Sequence, residues 1–297
     1  MRPTILLTGK TGQLGWELQR TFASLGEVVA VDRKAMDLSQ ADVIRRVIQE
    51  VRPSVIVNAA AYTAVDRAED APDLAMAING IAPGVMAEEA SRVGAALVHY
   101  STDYVFDGSG TRPWREEDRT APLNVYGRTK LAGERAILAV GCPSLILRTS
   151  WVYGLHGSNF VKTMLRLGSQ RESLSVVADQ VGAPTSAHVI ADVTRQILAQ
   201  GKGDMIGLLR ERGGVVHVSC AGETSWHGFA EEIFRLARLC GFPLLVSTIQ
   251  PISAKEYSAK AKRPVNSRLD CWRLYDWFSV RPPKWEVALE QSLSCPT

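Results

Sequence analysis

Short apolar runs alternate with amphipathic segments through the first half of this chain. Five runs read as buried strands, at residues 4–8, 28–32, 54–60, 95–101 and 144–149. The segments between them carry apolar residues at helical spacing, as in Leu14, Leu18 and Phe22. Continuously apolar strands that alternate with helices form a parallel sheet covered on both faces. The sequence therefore predicts an α/β fold, with a Rossmann-type doubly wound parallel sheet.

The second half is less regular, and its end is rich in Trp, Pro and Arg. We predict that residues 1–151 form the Rossmann domain and that a segment at about 185–220 returns to it. Residues of about 152–184 and 221–297 are predicted to form a smaller, mainly C-terminal substrate-binding lobe. Helices are expected near 71–93, 124–140 and 187–199, with a further strand near 215–219.

Composition narrows the class of protein further. Hydrophobic residues make up 46% of the 297 residues, and the net charge of +3 comes without a basic cluster beside aromatic residues. We therefore expect no nucleic-acid partner. No window approaches about 18 uninterrupted apolar residues, so no membrane span is expected. The five cysteines are widely scattered and odd in number. They favour a reduced, cytoplasmic chain over a disulfide framework.

The stretch "ILLTGKTGQLG" permits two interpretations. "GKT" resembles the end of a nucleoside-triphosphate loop, but that motif requires a glycine where this chain has Thr4. The alternative is a dinucleotide turn built on Gly9, Gly12 and Gly15, which follow a strand and open a helix. Such glycines allow a tight turn, close approach of a pyrophosphate and close packing of helix on strand. This context favours the dinucleotide turn.

The second predicted strand ends in Asp32, 20 residues after Gly12. A carboxylate there accepts hydrogen bonds from adenosine ribose hydroxyls, although Asp32 could also be a plain turn residue. Arg33 and Lys34 follow directly. These cations could hold a 2′-phosphate, whereas Asp32 would repel one. The predicted cofactor is accordingly NADPH or NADH.

The stretch "YGRTK" places Tyr126 and Lys130 four residues apart on a predicted helix, where they share one face. An ordinary exposed helix surface would show the same pattern. However, this helix follows the strand that ends in "YSTDYVF", and sites form at the carboxyl ends of parallel strands. An ammonium lowers the pKa of a nearby phenol and so assists proton exchange with a carbonyl. Thr102 could hydrogen bond to the same oxygen.

Several longer stretches carry a more specific resemblance. The glycine triplet, Asp32, "NAAA" at 58–61 and Tyr-x-x-x-Lys resemble the extended short-chain dehydrogenase/reductases. Within that group the chain is similar to the dTDP-4-dehydrorhamnose reductase family. The resemblance rests on "GKTGQLGWELQR", "RPSVIVNAAAYTAVD", "HYSTDYVFDG", "PLNVYGRTKLAGE", "RTSWVYG", "LSVVADQVGAPT" and "RPVNSRLD". These stretches run from near the N-terminus to Asp270.

The resemblance implies reduction of C4 of dTDP-4-dehydro-β-L-rhamnose to give dTDP-L-rhamnose, so the partner is a nucleotide-sugar substrate. It implies catalytic roles for Thr102, Tyr126 and Lys130. The implied substrate contacts are Thr102, Asp103, Tyr126, Trp151 and Arg263. The cofactor contacts, with those argued above, are Gly9, Gly12, Gln13, Leu14, Asp32, Arg33, Asp37, Leu38, Ala61, Tyr62, Thr63, Tyr100 and Lys130.

Two parts of this assignment have alternatives. Lys262, Arg263 and Arg268 suit the phosphate oxygens of a nucleotide sugar, but they would equally suit an ordinary solvated basic loop. Trp151 could pack against a sugar face or fill the core, and its place directly after a strand favours the sugar.

Some members of the resembled family are dimers bridged by magnesium bound to glutamates. Glu17 stands where one such glutamate is expected, but His188 stands at the second place and Cys295 near the third. Hard cations prefer oxygen ligands, so these residues argue against a magnesium-bridged dimer, and no metal ligands are assigned. The chain is expected to be a monomer or a homodimer.

Two other functions fit the same resemblance. One is a nucleotide-sugar epimerase or dehydratase. Dehydratases of this kind resemble Thr-Asp-Glu after the fourth strand, whereas this chain has Thr102-Asp103-Tyr104. The other is a non-catalytic regulatory subunit resembling that of methionine adenosyltransferase. The presence of Thr102, Tyr126 and Lys130 together favours an enzyme.

Overall fold

A six-stranded parallel sheet lies at the centre of the fold. The computed structural model describes residues 2–293. The strands are Thr4–Thr8 (β1), Glu27–Val31 (β2), Val55–Asn58 (β3), Ala96–Thr102 (β4), Ser144–Thr149 (β5), Val152–Tyr153 (β6), Ser173–Val177 (β7), Val181–Gly182 (β8), Thr185–Ser186 (β9), Gly214–His217 (β10), Thr224–Ser225 (β11) and Thr248–Ile252 (β12). The central sheet has the order β10-β5-β4-β3-β1-β2. Every neighbouring pair in it is parallel. The predicted Rossmann-type sheet is confirmed.

The helices cover both faces of this sheet or lie beyond it. They are Gln13–Phe22 (α1), Ala41–Val51 (α2), Val65–Ala68 (α3), Pro72–Met76 (α4), Ala82–Val93 (α5), Val125–Val140 (α6), Phe160–Gly168 (α7), Ala187–Ala199 (α8), Met205–Arg212 (α9), Trp226–Leu239 (α10), Ala254–Tyr257 (α11), Trp272–Phe278 (α12) and Trp285–Leu293 (α13). Between residues 2 and 293, none of them is both long and apolar enough to cross a bilayer.

Alternate residues of the central strands pack into two separate apolar cores. Ile5 and Leu7 of β1 face a core shared with α1 and α8, whereas Leu6 between them faces the core under α2 and α5. All three side chains are fully buried. Because neighbouring side chains on a strand point to opposite faces, a strand buried on both sides needs an unbroken apolar run. This is why the strands could be located from the sequence.

Residues after 151 add three two-stranded sheets to the central one. Strand β6 pairs with β9, β7 pairs with β12, and β8 pairs with β11. Strand β10 returns to the central sheet and pairs with β5. The helix α6 is anchored to this later part of the chain, because the Asn124 side chain donates to the carbonyl of Lys262.

The helix expected at 71–93 is interrupted in the structure. It begins as α4, continues through a π-helical turn at Ala77–Ile81 and resumes as α5. The π turn places Asn79 so that its side chain accepts from the Tyr62 backbone N–H at 2.8 Å and donates to the Tyr62 carbonyl at 3.0 Å. The break thus fixes the loop after β3. Such turns occur frequently at functional sites and leave no periodicity signal in a sequence.

Candidate active site

A cleft of about 870 Å³ opens at the carboxyl ends of β1, β3, β4 and β5. This is the edge where the strand order reverses between β1 and β3, the usual binding crevice of such sheets. Its walls include every residue predicted to contact the cofactor and every predicted catalytic residue. Of the three remaining predicted substrate contacts, Asp103 and Trp151 also line it. Arg263 does not.

The glycine-rich turn joins β1 to α1 and fits a bound pyrophosphate. Gly9 has a φ of +74°, and a Cβ there would lie 2.9 Å from the Ala60 nitrogen. A Cβ on Gly15 would lie only 2.0 Å from the Gly9 carbonyl oxygen. The turn closes through Gly12 N–H, which donates to that carbonyl at 2.9 Å. The N-terminus of α1 therefore faces the cleft without side chains in the way, as phosphate binding requires.

Asp32 lies at the far end of this cleft, after β2. Its carboxylate accepts from the backbone N–H groups of Lys34 and Ala35 and pairs with Lys10 at 3.3 Å. The backbone bond from Ala35 and the side chain of Lys10 lower the pKa of Asp32, so it is ionised at neutral pH. Arg33 turns toward Asp37 at 3.2 Å. A carboxylate and two cations therefore share this end of the cleft.

The other end of the cleft holds Tyr126, Thr102 and Asp103. The helix α6 is capped by Asn124, whose side chain accepts from the Gly127 N–H at 2.8 Å, and Tyr126 lies in its first turn. The Thr102 side chain contributes to the electrostatic environment of the Tyr126 hydroxyl. Thr102 Oγ1 in turn donates to Asp103 Oδ1 at 3.1 Å. The three groups form a connected set next to the cleft.

The expected depression of the Tyr126 pKa is wrong for the protein alone. Burial raises the pKa of Tyr126 to about 12, and the Thr102 side chain opposes this only in part. Lys130 does not offset it, because its Nζ is directed to the Tyr100 carbonyl at 2.6 Å and His99 Nε2 at 3.1 Å. Lys130 is 1% exposed, and burial lowers its pKa to about 8. Nearby Glu134 acts in the opposite direction.

Asp103 is a buried acid, and one of its two carboxylate oxygens has no hydrogen-bond partner. Its Oδ1 accepts from Thr102, whereas Oδ2 has no partner, and the residue is 2% exposed. Burial raises the pKa of Asp103 to about 7, and the side chains of Ser267 and Thr102 oppose this. A buried oxygen without a partner in a ligand-sized cleft suits a polar group of a bound molecule.

Trp151 forms a rigid part of the wall. Its ring stacks on Trp226 with centroids 3.7 Å apart and planes at 11°. Gly182 permits the approach on one side, since a Cβ there would lie 2.7 Å from the indole. The backbone of Trp151 has a φ of +50°, which is a strained value for a bulky residue. Strain at a cleft residue that is held from two sides is consistent with a binding role.

The predicted cations after residue 260 are dispersed. Arg263 pairs with Asp66 at 2.7 Å and contributes to the electrostatic environment of Tyr104, a cleft residue. Arg268 pairs with Glu223 and lines a second cavity of about 590 Å³. A role for Arg263 toward the substrate stays a prediction.

Glu17 and His188 do come together. Glu17 on α1 is 7% exposed, and its Oε2 lies 3.4 Å from His188 Nδ1 on α8. Cys295, the residue near the third expected ligand, lies outside the described residues. Within residues 2–293, no group of three or more His, Cys, Asp or Glu side chains is arranged to hold a metal ion. The oligomeric state stays a prediction.

Sequence reasoning missed several cleft residues. The structure adds Ile78, Val65, Thr149, Ser158 and Trp226 to the walls. They come from five different segments and belong to no motif, so only the folded chain brings them together. A signal for Trp226 did exist, because an aromatic residue begins a helix in a segment expected to bind substrate.

The sheet order, the glycine turn and the Tyr126-x-x-x-Lys130 helix define a Rossmann-type protein of the extended short-chain dehydrogenase/reductase class. The chain belongs to a particular family of that class, since the model described as RmlD substrate binding domain matches residues 1–295.

Named relatives are similar over almost the whole chain. The dTDP-4-dehydrorhamnose reductase of Escherichia coli K12 is 45% identical over 296 residues, covering 98% of this chain and 97% of the relative. The enzyme of that name from Burkholderia thailandensis is 46% identical over 293 residues, covering 96% of each. A crystal structure of dTDP-4-dehydrorhamnose reductase from Bacillus anthracis in complex with NADP superposes with a TM-score of 0.88. It is 38% identical and covers 98% of this chain and 99% of that one.

Proposed function

We propose that this protein is an oxidoreductase that reduces the C4 keto group of dTDP-4-dehydro-β-L-rhamnose to give dTDP-L-rhamnose, with NADPH or NADH as the reductant. The observation that carries the proposal is the joining of Tyr126, Thr102 and Asp103 beside a dinucleotide turn in one cleft. Full-length similarity to relatives named dTDP-4-dehydrorhamnose reductase supports the choice of substrate.

The cofactor site is assigned to the residues that fit it. The glycine turn and the N-terminus of α1 hold the pyrophosphate, and Asp32 holds the adenosine ribose. When bound, a reduced nicotinamide supplies a hydride to the keto carbon. Residues 1–151 with about 185–220 form the cofactor-binding part. Residues of about 152–184 and 221–297 form the nucleotide-sugar lobe, and the return of β10 to the central sheet supports this division.

Tyr126 gives the proton that the reduction needs. Its hydroxyl transfers a proton to the O4 oxygen as the carbonyl becomes an alcohol, which leaves a phenolate. Thr102 interacts with the phenol and helps to orient it. Asp103 contributes its unpartnered Oδ2 to a polar group of the sugar, and Trp151 supplies a flat wall for the ring. A charged Lys130, one helical turn from Tyr126, favours the phenolate that remains.

The competing activities make different use of the same cofactor. Epimerases and dehydratases of this class return the cofactor to its starting state, so they show no net oxidation of NAD(P)H. This chain has Tyr104 where the dehydratase pattern has Glu, and the Tyr104 ring contacts Tyr126 edge-on with centroids 5.6 Å apart. That position therefore has no carboxyl group to help water leave.

The test is an assay with purified protein, dTDP-4-dehydro-β-L-rhamnose and each reduced cofactor. We expect one equivalent of NAD(P)H to be consumed for each dTDP-L-rhamnose formed, with product identity fixed by NMR. Cofactor recycling without net oxidation would assign the protein to the epimerases or dehydratases. Cofactor binding without any turnover of this sugar would leave only a binding role.

A further inference from the structure

A row of polar side chains crosses the buried floor of the cleft. Thr8, Asn58 and His99 occupy matching register positions on the adjacent strands β1, β3 and β4, and Lys130 of α6 lies beyond His99. Each of the four residues is no more than 2% exposed. We call Thr8, Asn58 and His99 the polar ladder. Buried polar groups must satisfy one another, so the direction of each hydrogen bond here is constrained by the next.

The Asn58 amide has a fixed orientation within the polar ladder. Thr8 Oγ1 donates to Asn58 Oδ1 at 2.8 Å, and the backbone N–H of Ala60 donates to the same oxygen at 3.3 Å. A backbone N–H can only donate, so this oxygen cannot exchange places with the amide nitrogen without facing another donor. Asn58 Nδ2 is therefore the atom that meets His99 Nδ1, at 3.1 Å.

The orientation of Asn58 determines the tautomer of His99. Because Asn58 Nδ2 donates, His99 Nδ1 must accept. Burial holds the pKa of His99 well below its usual value, so the imidazole is neutral and carries its single proton on Nε2. That N–H faces Lys130 Nζ at 3.1 Å. An ammonium group has three donors and no lone pair, whereas an uncharged amine can accept.

We infer that the polar ladder couples the charge of Lys130 to the tautomer of His99. With Asn58 as oriented, His99 donates from Nε2 to an uncharged Lys130 amine, which itself donates to the Tyr100 carbonyl at 2.6 Å. When Lys130 takes up a proton, its N–H groups meet the His99 Nε2–H, and moving the imidazole proton to Nδ1 relieves this only by placing an N–H against Asn58 Nδ2. The polar ladder therefore opposes the charge on Lys130, and the charge and the His99 tautomer change together. His99 is thus a positioning residue that sets the pH at which Lys130 becomes charged.

The surroundings of Lys130 are consistent with an amine that loses its charge easily. Burial lowers the pKa of Lys130, and Glu134 on the same helix opposes that effect. The Glu134 carboxylate is itself engaged by Arg148 on β5 and by Ser101 on β4. Tyr126 lies one turn back on α6, and neutral His99 faces Lys130 from β4. The π-helical turn packed against α6 carries no charged residue.

The polar ladder lies next to the glycine turn. Ala60, which fixes the Asn58 amide, is also the residue that a Cβ on Gly9 would meet at 2.9 Å. Ala60 therefore lies between the glycine turn and the polar ladder. The consequence for catalysis rests on the proposed function, in which a charged Lys130 favours the phenolate. The coupling itself does not rest on the proposed function, and its test needs no turnover.

NMR of the protein without cofactor tests the inference directly. Imidazole ¹⁵N shifts report the His99 tautomer, and the ¹³Cε shift of labelled lysine reports the charge of Lys130. At pH 9 we expect the Nε2–H tautomer together with an uncharged Lys130. As the pH is lowered, both signals should change with the same midpoint. The Nδ1–H tautomer at pH 9, a Lys130 midpoint at the ordinary lysine value of about 10.4, or two unrelated midpoints would each overturn the inference.

Asn58→Asp is a nearly isosteric change that should reverse the direction of the hydrogen bonds at His99. The introduced carboxylate accepts from His99 Nδ1–H, so Nε2 becomes an acceptor for an ammonium on Lys130. We expect the Nδ1–H tautomer at pH 9 and a Lys130 midpoint higher by about one pH unit or more. His217→Gln is the matched control, since it replaces a buried histidine of β10 that bonds to Trp114 instead. An unchanged His99 tautomer in a folded Asn58→Asp protein would contradict the inference.

Discussion

Arg148 and Glu134 form a two-bond ion pair inside the protein. Arg148 Nη2 lies 2.6 Å from Glu134 Oε2, and Arg148 Nε lies 2.9 Å from Glu134 Oε1. Both side chains are almost completely buried, and Ser101 also donates to Glu134. The pair joins β5 to α6 one turn beyond Lys130. It therefore fixes the helix that carries Tyr126 to the strand next to β4.

Removing one member of this pair should strongly destabilise the fold. Glu134→Gln leaves the Arg148 guanidinium buried without a counter-charge, which typically costs about 3–5 kcal/mol. Glu232→Gln is a matched control, because Glu232 accepts two bonds from Arg235 at 2.8 and 2.7 Å on the surface. Such exposed pairs contribute less than about 1 kcal/mol. Urea unfolding at pH 7 measures both variants, and similar losses would contradict this account.

Tyr126→Phe removes the proposed proton donor and little else. We expect kcat to fall by about 10²-fold or more, the usual scale for loss of a positioned general acid. The dissociation constant of NADPH should remain nearly unchanged. Tyr275→Phe is the control, since Tyr275 lies outside the main cleft and packs under Arg281. Unchanged turnover in Tyr126→Phe would remove this residue from the mechanism.

Gly15→Ala tests the packing of the glycine turn. The added methyl would lie 2.0 Å from the Gly9 carbonyl oxygen, so the turn or the start of α1 must shift. At Gly12 the same atom would lie 3.3 Å away, a contact that a small adjustment relieves. We expect a substantial loss of thermal stability and of NADPH binding in Gly15→Ala and a smaller loss in Gly12→Ala. Differential scanning fluorimetry and fluorescence titration would check this order.

The part of the fold that the sequence predicted is the part with a repeating physical signal. Buried parallel strands need unbroken apolar runs, so β1, β3, β4 and β5 could be located to within a few residues. The glycine turn and Asp32 could be placed because their spacing follows from that geometry. Tyr126 and Lys130 could be paired because a helix brings residues four apart onto one face.

Other parts of the site depend on contacts that no local pattern records. The π-helical turn with Asn79 is one, since its sequence is compatible with an uninterrupted helix. Another is the direction of the Lys130 amine, which shared helical spacing placed near Tyr126 but which hydrogen bonds to Tyr100 and His99. Likewise, Arg263 has a suitable charge for phosphate but pairs with Asp66. In each case, burial and the hydrogen-bond or ion-pair partners in the folded chain determined the arrangement.

Asp103 should make stability depend on pH. Its pKa is raised to about 7 by burial, against an ordinary value of 3.8, so the folded state holds a proton that the unfolded state has already lost. Its contribution to stability is therefore present in full below about pH 4 and is lost as the pH rises to about 7. The slope approaches about 1.4 kcal/mol per pH unit in that window.

Asp103→Asn removes this titration while keeping the shape of the side chain. Urea unfolding of both proteins at pH 5 and pH 8 measures the effect. We expect the wild-type protein to lose more stability than the variant between these two values. Parallel behaviour of the two proteins across this range would show that Asp103 is ionised throughout.

The choice between NADPH and NADH should depend on the charges after β2. Asp32 accepts from ribose hydroxyls but repels a 2′-phosphate, whereas Arg33 and Lys10 attract one. Arg33 pairs with Asp37 but is 75% exposed, so it can turn to a phosphate at little cost. We expect Arg33→Ala to weaken NADPH binding about tenfold and to leave NADH binding nearly unchanged. Asp32→Asn should do the opposite, weakening NADH more than NADPH.

Nicotinamide fluorescence titrations without sugar measure the four dissociation constants, which are those of NADPH and NADH for each of the two variants. Arg46→Ala, an exposed arginine on α2 paired with Glu50, is the control for net charge. If Arg33→Ala changed both cofactors equally, Arg33 would contribute only a general field, which added salt would screen.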